Sequence, residues 1–188
     1  MEDKFTCGLG GFQMKKSKRL LGTSMTIVLL LILIRPFMAR QIAVRGDGYF
    51  NYCMYSDAIR QYKKALWLDS HLSEAWNWLG YTYKQLDDRE SAIETYEKAI
   101  EIDPYNRVAH YDLGMIYALA KDYGRAEDYF LKAASIPQEK VNKNIEVRNV
   151  DYYKAVLEAL AVCQEKLGKR KEAALTRQEL SAYKNQNK

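Results

Sequence analysis

Residues 73–106 read SEAWNWLGYTYKQLDDRESAIETYEKAIEIDPYN. Ala75, Trp76, Leu79, Gly80 and Tyr83 fall three or four apart, the spacing of one face of a helix. Asp87-Asp88-Arg89-Glu90 interrupts that run. Ala92, Ile93, Tyr96, Ala99 and Ile100 then form a second stripe, which stops ahead of Asp103-Pro104, because the residue before a proline is driven out of helical geometry. Gly80 and Ala92 are small where two helices must cross closely, and Tyr83 and Tyr96 fill the adjoining space. A single hairpin of this kind leaves an apolar face uncovered, so stacking on neighbours is needed to bury it. Glu94 and Lys98, four apart, are expected to pair on the outer face.

The pattern returns at a fixed distance. Thirty-four residues on stand His110, Leu113, Gly114, Tyr117, Ala126, Phe130, Lys132, Ala133 and Ile136, and thirty-four residues back stand Gly46, Tyr49, Ala58, Tyr62, Lys64, Ala65 and Leu68. A period of this size marks a repeat array. It resembles the tetratricopeptide repeat: Trp76, Leu79, Gly80, Tyr83, Ala92, Tyr96, Ala99 and Pro104 occupy its signature positions in 73–106. The unit 107–140 has Gly114, Tyr117, Ala126, Phe130 and Ala133, with His110 replacing the tryptophan and Pro137 one place early. The unit 39–72 carries Arg45 where leucine is expected and Ser70 for proline, and its first helix is expected to continue from the segment before it. The unit 154–187 fits at Leu160, Ala161, Gly168, Ala173 and Leu180, with Gln164 and Arg177 in place of aromatics, and reads as a terminal cap. The resemblance implies an all-α solenoid of antiparallel helix pairs, three to four units in 39–188, that binds protein and is not an enzyme.

Charge separates the first forty residues from the rest. Residues 1–40 carry a net +5, whereas 41–188 hold 22 basic and 22 acidic side chains. A neutral body lacks the cationic surplus that displaces counterions from phosphates, so a nucleic-acid partner is not expected. Leu20 to Ile34 is free of charge, and the apolar run extends to about Met38 if Arg35 and Pro36 sit at a boundary. At 1.5 Å per residue such a length matches the roughly 30 Å of bilayer hydrocarbon. We read 20–38 as an uncleaved transmembrane signal-anchor and 1–19 as a basic cytoplasmic tail. The alternative is a secreted protein after signal cleavage, although Phe37 and Gln41 suit a peptidase site poorly. Met14 opens a complete basic-then-apolar segment, so 1–13 is expected to be an upstream false start. Lys15, Lys16, Lys18 and Arg19 precede the span, which by the positive-inside rule places the repeats on the outer, periplasmic side of a bacterial inner membrane.

The sequence offers no catalytic constellation: no phosphate-binding glycine loop, no His-Glu-x-x-His, no Gly-x-Ser-x-Gly. Three dispersed cysteines and two histidines give neither a disulfide framework nor a metal site, and no cofactor is expected. Cys53 and Cys163 read as buried, inert thiols, and His110 as a packing residue. By elimination, function falls on the concave groove that the resemblance implies. Asn77, Tyr81 and Lys84, with Tyr111, Asp112 and Met115, are the groove candidates, lying off the packing stripe of each opening helix. Residues suited to the chaperone-tail clamp of some tetratricopeptide arrays are missing at the matching positions. Residues 141–153 form an insertion, read as a surface loop or as a lip over the groove. The expected function is a membrane-anchored adaptor for a protein or peptide partner. A self-associating coat or filament subunit is the rival.

Overall fold

The structure, a computed structural model, describes residues 9–141 and 151–186, with side chains from residue 29 onward. Its elements are α1 (Leu9–Asn51), α2 (Tyr55–Leu68), α3 (Ser73–Gln85), α4 (Arg89–Ile102), α5 (Arg107–Leu119), α6 (Tyr123–Ser135), a single 3₁₀ turn (Gln138–Lys140), α7 (Tyr152–Lys166) and α8 (Arg170–Gln186). The described residues are all helical, without strands. Each helix packs on the next, and the opening helices of successive hairpins also touch, α1 with α3 and α5 with α7. That second set of contacts puts the odd-numbered helices on the crowded, inner side of the solenoid.

The local chemistry explains the helix ends. Asp88, Asn106, Asp122 and Asp151 each accept a hydrogen bond from the backbone N–H three residues on, capping α4, α5, α6 and α7. Each hairpin turns through one residue of left-handed backbone: Cys53, Asp87 and Lys121, with φ of 58°, 56° and 63°, and then Gly168 at 76°. The first three are one repeat period apart, and the fourth is displaced by the insertion. Of the insertion read at 141–153, residues 142–150 lie outside those described. The last hairpin opens at Tyr152 rather than at 154, because the Asp151 carboxylate is in place to cap it.

The core is three stacked clusters rather than one. Ala58, Tyr62, Ala65, Ala75 and Leu79 close the first, Ala92, Tyr96, Ala99, Ala109 and Leu113 the second, and Ala126, Phe130, Ala133, Val156 and Leu160 the third. The small residue on each opening helix is required by the ring opposite. A Cβ at Gly46, Gly80 or Gly114 would fall 2.6, 2.9 and 2.6 Å from the rings of Tyr62, Tyr96 and Phe130. Trp76 is only half-buried and donates its indole N–H to the Ser70 carbonyl at 2.9 Å. Tyr83 and Tyr117 are likewise half-buried, and Pro104 is exposed in its turn. On α8, among seventeen residues, Ala173 and Thr176 are the buried ones, and the helix leaves Leu175 66% exposed.

Two expectations are corrected. Cys53 is exposed, not buried, standing at the left-handed residue of the first turn. Lys98 pairs with Glu101 at 2.8 Å, not with Glu94, the shorter reach of an i,i+3 contact prevailing. The opening helix of the first hairpin does continue from the segment before it: α1 runs unbroken from Leu9 through Pro36 to Asn51. Among the described residues no helix is long and apolar enough to cross a membrane. The side chains of 20–28, half of the span read at 20–38, lie outside those described. Those from Leu29 to Met38 are all exposed, and Ala39 is the first to be buried.

Candidate binding groove

The inner surface is built by α1, α3, α5 and α7, and it changes character along its length. At the first two hairpins it is aromatic. The Phe50 ring lies 5.3 Å from Tyr81, 5.6 Å from Trp78 and 5.5 Å from Tyr55, and Trp78 meets Tyr81 edge-on at 6.0 Å. Lys84 places its ammonium 4.7 Å from the centre of the Tyr81 ring, a cation–π contact. The same ammonium reaches the Asp112 carboxylate at 2.5 Å, and the Tyr96 hydroxyl donates to the other oxygen of that carboxylate at 3.0 Å. Asp112 is buried and therefore depends on both partners. Burial and the adjacent carboxylate hold the Tyr96 phenol well above the ordinary tyrosine range.

Between α5 and α7 the groove becomes apolar. A cleft of about 420 Å³ is lined by Tyr111, Met115, Leu119, Ala159 and Val162, with Glu158 and Lys166 at its rims. Leu119 and Val162 are 67% and 50% exposed, so this cleft presents large aliphatic groups to water. Tyr111 packs between Phe130, tilted at 5.9 Å, and Tyr152, edge-on at 5.8 Å, and burial raises its phenol pKa.

Of the six residues read from sequence as groove contacts, Tyr81, Lys84, Tyr111 and Met115 are partly exposed on this inner side. Asn77 and Asp112 are more than nine-tenths buried. Asn77 accepts from Asn106 at 3.0 Å, leaving its own amide N–H₂ without a partner among the described residues. These two hold adjacent hairpins in register instead of facing outward.

Sequence reasoning missed Arg107, which is 2% exposed. Its guanidinium donates to the carbonyls of Ala133 at 3.3 Å and Ile136 at 2.6 Å and to Gln138 at 2.8 Å, and it lies over Tyr153 at 5.3 Å. A cation there satisfies the free carbonyls at the end of α6 and favours its dipole. The signal was a break in the repeat, since the same position one period earlier is Ser73. Among the described residues no group of three or more His, Cys, Asp or Glu side chains is arranged to hold a metal ion. Cys163 is buried, and burial pushes its thiol up, so it is not primed for nucleophilic work.

Fold and groove together define a helical-repeat solenoid of 34-residue hairpins. Models of the tetratricopeptide repeat match residues 73–106 and 95–128, and the chain carries these repeats there. Anaphase-promoting complex subunit 3 of Schizosaccharomyces pombe is 29% identical over 85 residues, 45% of this chain and 13% of that protein. A TPR repeat-containing protein of Methanocaldococcus jannaschii is 28% identical over 110 residues, 55% of this chain and 19% of that one. The matches thus span a fifth or less of the curated relatives' length. Among solved structures, MamA superposes with a TM-score of 0.67 at 20% identity, over 97% of this chain and 98% of its own. PilF of Pseudomonas aeruginosa gives 0.63 at 20% identity, over 78% and 61%. At that identity the likeness is one of fold.

Proposed function

We propose that this chain is a membrane-anchored repeat adaptor whose inner groove takes a segment of a partner protein. The observation that carries the reading is the α5–α7 cleft, where Leu119, Val162, Met115 and Tyr111 gather apolar surface in one concavity on the inner side of the solenoid. Exposed apolar surface in a concavity favours a peptide or helix that covers it, and Tyr and Met are common in such contacts. The aromatic stretch around Phe50, Trp78 and Tyr81 extends the same surface. Tetratricopeptide matches to anaphase-promoting complex subunits support a protein-binding role for repeats of this kind.

The anchor rests on the apolar run in 20–38 and on the ten uncovered side chains from Leu29 to Met38. From Leu29 to Ile34 the helix is apolar on all sides with no protein against it, which suits lipid. The basic residues ahead of it favour repeats on the outer side of a bacterial inner membrane. Tethering raises the local concentration of a membrane-borne partner without any added contact.

Site-specific photocrosslinking from position 115 in native membranes tests the groove. The reading expects a discrete adduct that is lost in a Tyr81→Ala, Tyr111→Ala variant of unchanged helicity. An adduct of unaltered yield would remove the groove from the account. Alkaline extraction tests the anchor, and protease protection in spheroplasts tests the topology.

A further inference from the structure

Trp67 stands on the last turn of α2 and is 75% exposed. The repeat supplies its own control. One period on, the position is Glu101, and two periods on it is Ser135, both exposed. Packing of the hairpin therefore has no need of an apolar ring there, and an indole so open to water is uncommon.

Its height in the molecule is informative. α1 and α2 run antiparallel, with the Tyr62 ring against Gly46 and the Tyr62 hydroxyl donating to Asp47 at 2.7 Å. Five residues beyond Tyr62 along α2, and five before Gly46 along α1, bring Trp67 level with Gln41, about 7.5 Å from that contact. Met38, where the uncovered apolar stretch ends, is only about 4.5 Å further along the helix. Exposed cations surround this end of the hairpin: Arg35 and Arg40 on α1, Lys63 and Lys64 on α2. Of the nearby carboxylates, Glu74 pairs with Arg40 at 3.8 Å, Asp69 accepts from the His71 N–H at 3.0 Å, and Glu94 lines the outer cleft beside Trp67 and Lys63.

We infer that this edge of the first hairpin rests in the headgroup layer of the bilayer, with Trp67 seated in the interface beside the emerging stem. The inference rests on the anchored reading above. Tryptophan concentrates at that depth because its ring is apolar and its N–H polar. Arg35, Lys63 and Lys64, with Arg40 set aside for Glu74, suit phosphate-bearing headgroups. Trp67 also borders a cleft on the outer side with Lys63, Trp76 and Tyr83. A protein seated there is the competing outcome. Continuity with the bare apolar stem favours lipid.

The full chain, reconstituted in phosphatidylcholine–phosphatidylglycerol vesicles containing shallow-brominated lipid, provides the test. Tryptophan emission is expected to be quenched, and the quenched share to drop by about two-fold or more in Trp67→Phe but not in Trp76→Phe, as an interfacial ring requires. Iodide in the aqueous phase should reach Trp67 less in vesicles than in detergent. Equal bromine quenching of wild type and Trp67→Phe, in protein that resists alkaline extraction, overturns the inference and leaves the anchor standing. Release of the protein by alkaline carbonate overturns the anchored reading, and the inference with it.

Discussion

Gly46 and Gly48 lie two residues apart on α1 and make opposite demands. Alanine at either position should gain about 1 kcal/mol of helix propensity over glycine. At Gly48 nothing lies within 4 Å of the added methyl, so that gain stands. At Gly46 the methyl would sit 2.6, 2.8 and 3.0 Å from three atoms of the Tyr62 ring. That ring has no exposed surface and is tied through its hydroxyl to Asp47 at 2.7 Å, so it has little freedom to retreat. Overpacking of a filled core costs about 1–3 kcal/mol, which outweighs the propensity gain. Gly46→Ala is thus expected to destabilise by up to about 2 kcal/mol and Gly48→Ala to stabilise by up to about 1 kcal/mol, so that the first falls below the second by about 1–3 kcal/mol. Urea unfolding of the full chain in mild detergent, followed by circular dichroism and by tryptophan emission, reads both. Their closeness matters, because repeat arrays can lose cooperativity between distant hairpins. A Gly46→Ala protein as stable as Gly48→Ala would refute the close-crossing account of the repeat's small residues.

Lys121→Gly should stabilise by about 1 kcal/mol, since it relieves a left-handed residue that L side chains disfavour, and Gly168→Ala should lose a similar amount; thermal melts decide. His110 should give stability a pH slope. Burial chiefly, and Lys132 secondarily, lower its pKa, with the Pro104 carbonyl opposing. The unfolded chain then binds the proton first, and stability should decline as pH falls below about 6.5. Urea midpoints of His110→Phe should show a flatter dependence in that window. Lys84→Met, which leaves the buried Asp112 without its cation, should cost about 3 kcal/mol. Adding Asp112→Asn to it should recover part of the loss, and a purely additive double-mutant cycle would contradict the pairing.

The hairpins were legible because their signal is redundant. Gly46, Gly80 and Gly114 face Tyr62, Tyr96 and Phe130 in the structure as the 34-residue period requires. What escaped sequence reasoning lies where the period fails. Arg107 replaces Ser73, and Trp67 precedes Glu101 and Ser135; each departure carries a feature the averaged motif does not contain. The groove was legible only as a face. Helical spacing places Asn77 and Asp112 on the inner side together with Tyr81 and Tyr111. Whether a residue there is open or buried depends on the tilt of the next hairpin, which no local pattern encodes. Cys53 shows the same limit: the turn was legible, whereas its left-handed backbone and exposed thiol were not.

Ala39 is buried without any break in α1, so the array has no joint at its root. Its compass bearing is then fixed by helical phase: one residue inserted in the stem would swivel the binding face by about 100° around the stem axis. On the anchored reading proposed above, a partner held in the same membrane would meet a different side of the molecule, although every contact within the repeats stayed as it is.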